Sequence, residues 1–396
     1  MRIIQPEKQY LIHLLASVIK DMQPSNPPGE MDWEKLYRFA VRHGVANMAW
    51  YGLNRLKGDS KPTQEVRTKF RSDCAKAIAK EATQHITVEQ ILKTFEENGI
   101  ACMPLKGYLV KYLYPRPDMR LMADVDILIK GEQAGPVQKL MVGLGFTVER
   151  LGGNHDIYYK RPFMNMEMHR RLISEDSPYN EYLSKTWDRA KLKDGCKCTY
   201  QLTHEDFYIY LLIHLTKHYA GGGTGVRSFL DIYLYNQCYG GRMDWNYIWT
   251  EVDKINLREF AENILGLCEV WFGNAQSKEL YEEMTAYIFS SGAYGSRRNS
   301  IISSVSRKAG KKQSIRAASQ LYRVKLFFPP LSTMKILYPF LAAMPLLLPA
   351  CWVLRGIRSL LFKRRHTFQM LHQVHSLSEE DILRMGNLHK KAGLLK

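Results

Sequence analysis

Over one long stretch this chain carries no negative charge. Between Met284 and Ser378 there are 15 Lys and Arg and no Asp or Glu, whereas Met1 to Glu283 holds 37 basic against 36 acidic residues. The net charge of +17 therefore belongs to a late segment and not to the chemistry carried by the earlier part. Cysteine is sparse and unpatterned. Seven residues, at positions 74, 102, 196, 198, 238, 268 and 351, form no framework, which excludes a disulfide-stapled secreted fold and favours a reducing cytosol. The opening MRIIQPEKQYLIHLLASVIKDM lacks the uninterrupted apolar core and small-residue cleavage site of a signal peptide, so a cytoplasmic location is expected. Internal repeats and long low-complexity tracts are also missing.

What is present describes a globular chain of more than one domain: 396 residues, 45% hydrophobic and 24% charged. Residues 1–98 read as a helical region. Asp32 is placed to cap WEKLYRFAVRHG, and a long amphipathic helix runs from Thr63 to Asn98, with Gly99 just past its end. Residues 99–175 alternate between strand and helix signals. IACMPL, VDILI, FTVER, DIYYKR and MNMEMHR read as strands, the last two forming a hairpin across Arg161-Pro162, and a helix is expected over about 132–144. The order is that of an α+β fold with an α/β core. Residues 176–290 read mostly as helices, and 291–396 form a basic, apolar C-terminal segment.

The densest chemistry lies between Gly99 and His169. Asp124 and Asp126 are two residues apart, a spacing that puts both side chains on one face of a strand. In Met164-Asn-Met-Glu-Met-His169 the methionines alternate with Asn165, Glu167 and His169, so a strand would bury the methionines and present Glu167 and His169 on the other face. Two neighbouring carboxylates and a third from another strand suit a pair of Mg²⁺ ions, with Mn²⁺ as an alternative. Such ions bridge carboxylates to substrate phosphates and support an in-line displacement at phosphorus. Lys106-Gly107, between strand and helix, offers a close backbone approach to phosphate, and Lys106 and Arg120 add positive charge for a triphosphate.

These residues carry a resemblance. The segment GIACMPLKGYLVKYLYPRPDMRLMADVDILIKGEQAGPVQKLMVGLGF resembles an uncharacterised nucleotidyltransferase family of bacteria, part of the polymerase-beta-like superfamily that shares a minimal fold with kanamycin nucleotidyltransferase. DWEKLYRFAVRHGVANMAWYGL and HLTKHYAGGGTGVRSFLDIYLY extend the likeness to roughly residues 30–300. The resemblance implies a minimal nucleotidyltransferase fold, a small mixed sheet flanked by N- and C-terminal helical regions. It implies that Asp124, Asp126 and Glu167 are catalytic and metal-binding, that Gly107 sits in the nucleotide-phosphate turn with Lys106 and Tyr108 beside it, and that Arg120, Lys217, Arg227 and Asp231 face the nucleotide. Many members have Gly-Ser where this chain has Gly107-Tyr108. The expected function is Mg-dependent transfer of a nucleoside monophosphate, from ATP or another nucleoside triphosphate, to an unknown acceptor: a small molecule, glycan, peptide or short RNA. The alternative is a catalytically lapsed nucleotide-binding or scaffolding protein at the membrane surface. No DNA is expected as partner.

Other features invite blander readings. His169 serves to orient Glu167 or to contact substrate, or else as a hydrogen-bonded structural histidine. His214 and His218 have metal-ligand spacing but no HExxH glutamate. Gly221-Gly-Gly-Thr-Gly225 follows a helix and reads as an interhelical loop, and Cys196-Lys-Cys198 reads as a surface turn. Ile336 to Leu354 is 19 residues without a charge, interrupted by prolines at 339, 345 and 349 and flanked by basic groups. It supports peripheral contact with an anionic membrane surface through residues 297–365, packing or oligomerisation, and, ranked after these, nucleic-acid binding.

Overall fold

The computed structural model describes residues 5–58, 61–309, 314–362 and 378–394. By its internal contacts the chain divides into two compact units. One comprises the residues up to Lys217 together with Thr224–Tyr294; the other comprises His218–Gly223 and the residues from Gly295 onward.

The first unit is α+β, as expected, and is organised on a five-stranded mixed sheet. Its strands are β1 (Cys102–Pro104), β2 (Val125–Ile129), β3 (Thr147–Arg150), β4 (His155–Lys160) and β5 (Met164–His169), in the order β1-β2-β5-β4-β3. Only β2 and β5 run parallel. A parallel pair needs a crossover, and the helix Ala134–Gly143 with the β3–β4 hairpin supplies it. The alternation in β5 determines which face is buried. Met164, Met166 and Met168 join Ile127, Ile129 and Tyr158 in a core closed by Val88, Ile91 and Phe95 of the long helix Gln64–Glu97. Each fully buried methionine contributes roughly 1.5–3 kcal/mol of transfer free energy. The polar face of β5 is left for Glu167 and His169.

The flanking helices fix the loop that leads into β2. Asp32 caps its helix by accepting from the Lys35 amide at 2.8 Å, and Gly99, at φ +67°, terminates the long helix. Asn47 donates to the carbonyls of Asp118 and Met119, and the Tyr51 hydroxyl donates to the buried Asp118 carboxylate at 2.6 Å. Lys111 has its side chain wholly out of solvent, ion-paired to Glu81 at 2.9 Å beneath the rings of Tyr108 and Tyr112.

The second unit contains the helices Arg297–Ala309, Ile315–Phe327, Leu331–Leu337, Leu348–Phe362 and Glu379–Lys391. The charge-free run is broken rather than straight, because Pro339 and Pro345 each open a short 3-10 turn. Among the described residues no helix is long and apolar enough to cross a membrane. Residues 310–313 and 363–365 of the expected membrane-facing segment lie outside the described residues.

Candidate active site

The parallel pairing of β2 with β5 brings the expected carboxylates together. Asp126 and Glu167 are direct cross-strand partners, and Asp124 lies at the bend just before β2. Leu128, two residues beyond Asp126, is paired with His169, so the face runs Asp126, Leu128 on one strand and Glu167, His169 on the next. Across the β4–β5 hairpin, His155 stands opposite His169 with ring centroids 4.9 Å apart.

Asp126 is the hub. Its Oδ1 accepts from Lys106 Nζ at 2.9 Å and from His169 Nε2 at 2.6 Å. Burial alone would raise its pKa, but Lys106 and the His169 hydrogen bond outweigh that and hold it well below the usual carboxylate range. His169 is also 3.3 Å from Glu167 Oε2. Burial opposes its charge, yet its hydrogen bonds to Asp126 and Glu167 raise its pKa above the ordinary value. Glu167 is lowered in turn, first by the hydrogen bond from His169. Asp124 goes the other way. Burial and the charges of Asp126 and Glu167 push it up, against the pull of Lys106 and Arg227.

Three mutually repelling carboxylates at one sheet end are the donor set a hard divalent cation satisfies, so these residues fit Mg²⁺ or Mn²⁺. His155, Glu167 and His169 also form a group whose ligand atoms lie within 4.8 Å of one another. Two features argue that the imidazoles serve protons before metals. Arg150 Nη2 donates to His155 Nε2 at 2.7 Å, and the buried His169 Nδ1 lacks the second partner that a metal-bound imidazole ordinarily has.

Around the carboxylates the structure sorts the other expected residues. Lys106, at φ +40°, is held in the left-handed region where a lysine is uncommon, and this aims its ammonium at Asp126. The helix it opens, Lys106–Val110, is only 5 residues long, so charge rather than a helix terminus is what the turn offers. Gly107 also has a packing reason to be glycine. A Cβ there would lie 2.1 Å from Arg120 Nη1 and 2.9 Å from Met122 Sδ. Tyr108 is buried in the core and its hydroxyl donates to Glu89. Arg120 and Asp231 are brought together, but onto each other. Nε and Nη2 of Arg120 meet Oδ1 and Oδ2 of Asp231 at 2.8 and 2.6 Å, and the Tyr114 hydroxyl adds a bond to Oδ1 at 2.7 Å. This fork ties the loop before β2 to the helix Val226–Tyr239. Arg227 Nη1 donates to the Leu121 carbonyl. Lys217 is exposed, and Asp126 and Glu167 act on its charge.

Sequence reasoning missed three members. Lys80 of the long helix lies in the field of Asp124. Tyr210 is buried, within electrostatic reach of Lys106 and Asp126. His155 was legible in principle from the hairpin register. Beyond Leu128 a cavity of 410 Å³ opens, lined among others by Arg170, Asn180, Ser184, Thr186 and Trp187.

Residues 29–273 match a family described as uncharacterised nucleotidyltransferase. No curated protein and no solved structure shows a match to the chain.

Proposed function

The chain belongs to this nucleotidyltransferase family, and on that premise we propose that it moves a nucleoside monophosphate from a nucleoside triphosphate to an acceptor hydroxyl or other nucleophile. The observation that carries the reading is the register of Asp126 against Glu167, with Asp124 at the strand entrance. A relation to the polymerase-beta-like superfamily is part of the proposal and is supported by the same arrangement.

In this reading Asp124, Asp126 and Glu167 hold two Mg²⁺ ions, which when bound stabilise charge on the attacking and leaving oxygens. The acceptor oxygen forms a bond to the α-phosphorus, the bond from that phosphorus to the bridging oxygen breaks, and pyrophosphate leaves. Asp126 or Glu167 receives the acceptor's proton. His169 donates to Asp126 and steadies its orientation. Lys106, with Lys80, Lys217 and Arg227 around the same carboxylates, supplies positive charge for the triphosphate. Arg120 and Asp231 act as a brace for the loop into β2. The cavity beyond Leu128 has the size of a small-molecule site and is the acceptor's place.

The test uses purified protein, α-labelled nucleoside triphosphate, Mg²⁺ and a host extract as acceptor source. Label should enter an acceptor, and Asp124→Ala should reduce that by roughly a hundredfold to a thousandfold. Transfer that survives Asp124→Ala would sink the carboxylate assignment. One observation favours the lapsed, scaffolding alternative: the Tyr108 hydroxyl is committed to Glu89 where related turns offer a serine. Absence of both transfer and Mg²⁺-dependent nucleotide binding would decide for it.

A further inference from the structure

The C-terminal segment exposes apolar side chains in a way the rest of the chain does not. Among the described residues, 13 of the 26 large exposed apolar side chains fall between Leu321 and Leu361. Leu346 is 91% exposed, Leu361 70% and Val353 63%. Elsewhere such residues are scattered along the chain, which is ordinary for a protein surface.

The exposed groups are held outward by a small scaffold of their own. Met334, Leu341 and Cys351 are buried together, with Leu331, Tyr338, Leu348 and Trp352 packed against them. Trp352 Nε1 donates to the Pro329 carbonyl at 2.9 Å, and Arg355 Nη1 donates to the Leu326 carbonyl at 3.1 Å. These bonds tether the helix Leu348–Phe362 to the end of Ile315–Phe327, so the outer apolar groups are presented rather than collapsed inward.

The charge around them has one sign. Lys325, Lys335 and Arg358 border the apolar groups, and the sequence from Met284 to Ser378 contains no acidic residue. Exposed apolar side chains interleaved with exposed cations match the chemistry of an anionic bilayer surface: acyl chains for the first, phosphate headgroups for the second. Among the described residues no helix is long and apolar enough to cross a membrane, and the contact considered is one at the bilayer interface.

We propose that the segment from Ile315 to Phe362 is a membrane-docking surface that seats on the interface of an anionic bilayer, with Leu346 and Leu361 among the inserting residues and Lys335 and Arg358 among those meeting headgroups. A second copy of the chain or a nucleic acid is the competing occupant.

Flotation of the full chain with phosphatidylglycerol–phosphatidylcholine vesicles and with pure phosphatidylcholine vesicles tests this. The protein should float with the anionic vesicles, and rising salt should release it. Lys335→Gln with Arg358→Gln should weaken binding by roughly thirtyfold, at about 1 kcal/mol for each charge removed. Leu346→Glu with Leu361→Glu should abolish flotation while the thermal melt stays at the wild-type value. Equal partitioning into both vesicle types, or binding unchanged by the Leu→Glu pair, would overturn the proposal. So would a dimer, seen by light scattering without vesicles, that the Leu→Glu pair dissolves while no flotation occurs. Retention on nucleic acid in place of vesicles would overturn it too. None of these outcomes depends on nucleotidyl transfer, so the two proposals fail separately.

Discussion

Lys106, Lys111, Arg120 and Arg170 are buried or half-buried around the sheet, and each faces a carboxylate of its own: Asp126, Glu81, Asp231 and Asp156. Lys335 and Arg358 stand exposed in a segment with no acidic residue, where Arg298 pairs with Asp381 and Arg316 with Glu379 by borrowing carboxylates from the helix Glu379–Lys391. The same residue types do different work in the two regions. Inside, each of these four cations is matched because an unmatched one costs several kcal/mol to desolvate, and matching fixes geometry. Outside, solvent bears the cost, and unmatched charge remains available to a partner.

The largest effect that separates the two regions comes from breaking an inner pair. Arg120→Ala leaves Asp231 buried without its fork and should destabilise the fold by about 3–5 kcal/mol in denaturant unfolding. Replacing both partners, as Arg120→Met with Asp231→Leu, should recover much of that loss. Gly107→Ala comes next. Its Cβ would strike the Arg120 guanidinium, so about 1–3 kcal/mol should be lost. If the alanine melts as wild type, the close packing of Arg120 on this turn is wrong.

Acid should reach the first unit through His43. His43 is fully buried; burial first, and the nearby Arg42 second, lower its pKa from 6.5 to about 4. Between those two values the unfolded chain binds a proton that the folded chain refuses. Stability is therefore complete above pH 6.5 and falls as pH drops toward 4, by at most about 1.4 kcal/mol per unit from this group. His43→Asn should flatten that part of the curve of melting temperature against pH. The smallest effect belongs to the outer charges. Lys335→Gln with Arg358→Gln should change stability by no more than about 0.5 kcal/mol.

Much of the sheet and its carboxylates was legible because strands have a period of two. The Met-x-Met-x-Met pattern of β5 could bury only one face, and that left Glu167 and His169 on the other. Asp126 followed from the same rule, whereas Asp124, expected on the same strand face, lies at the bend just before β2; Asp32 and Gly99 announced helix ends by their capping chemistry. What sequence did not carry was long-range pairing. Arg120 and Asp231 are 111 residues apart, and read singly each looked like a nucleotide contact. Tyr108 was read beside a phosphate turn, and nothing local announced that its hydroxyl would donate to Glu89 of the long helix. Lys80 and Tyr210 reach the site from helices whose local sequence has no feature tied to it. Gly107 was read as making room for a ligand, and its packing against Arg120, 13 positions on, was not legible.

The central claim is that Asp124, Asp126 and Glu167 serve transfer of a nucleotidyl group. The most direct measurement follows α-labelled and γ-labelled nucleoside triphosphate in parallel, with wild-type protein and Asp124→Ala, in the presence of Mg²⁺. The account predicts that the α-label enters an acceptor, that the γ-label departs in pyrophosphate, and that Asp124→Ala loses the transfer. Entry of the γ-label into the acceptor, or α-label transfer undiminished in Asp124→Ala, would contradict it.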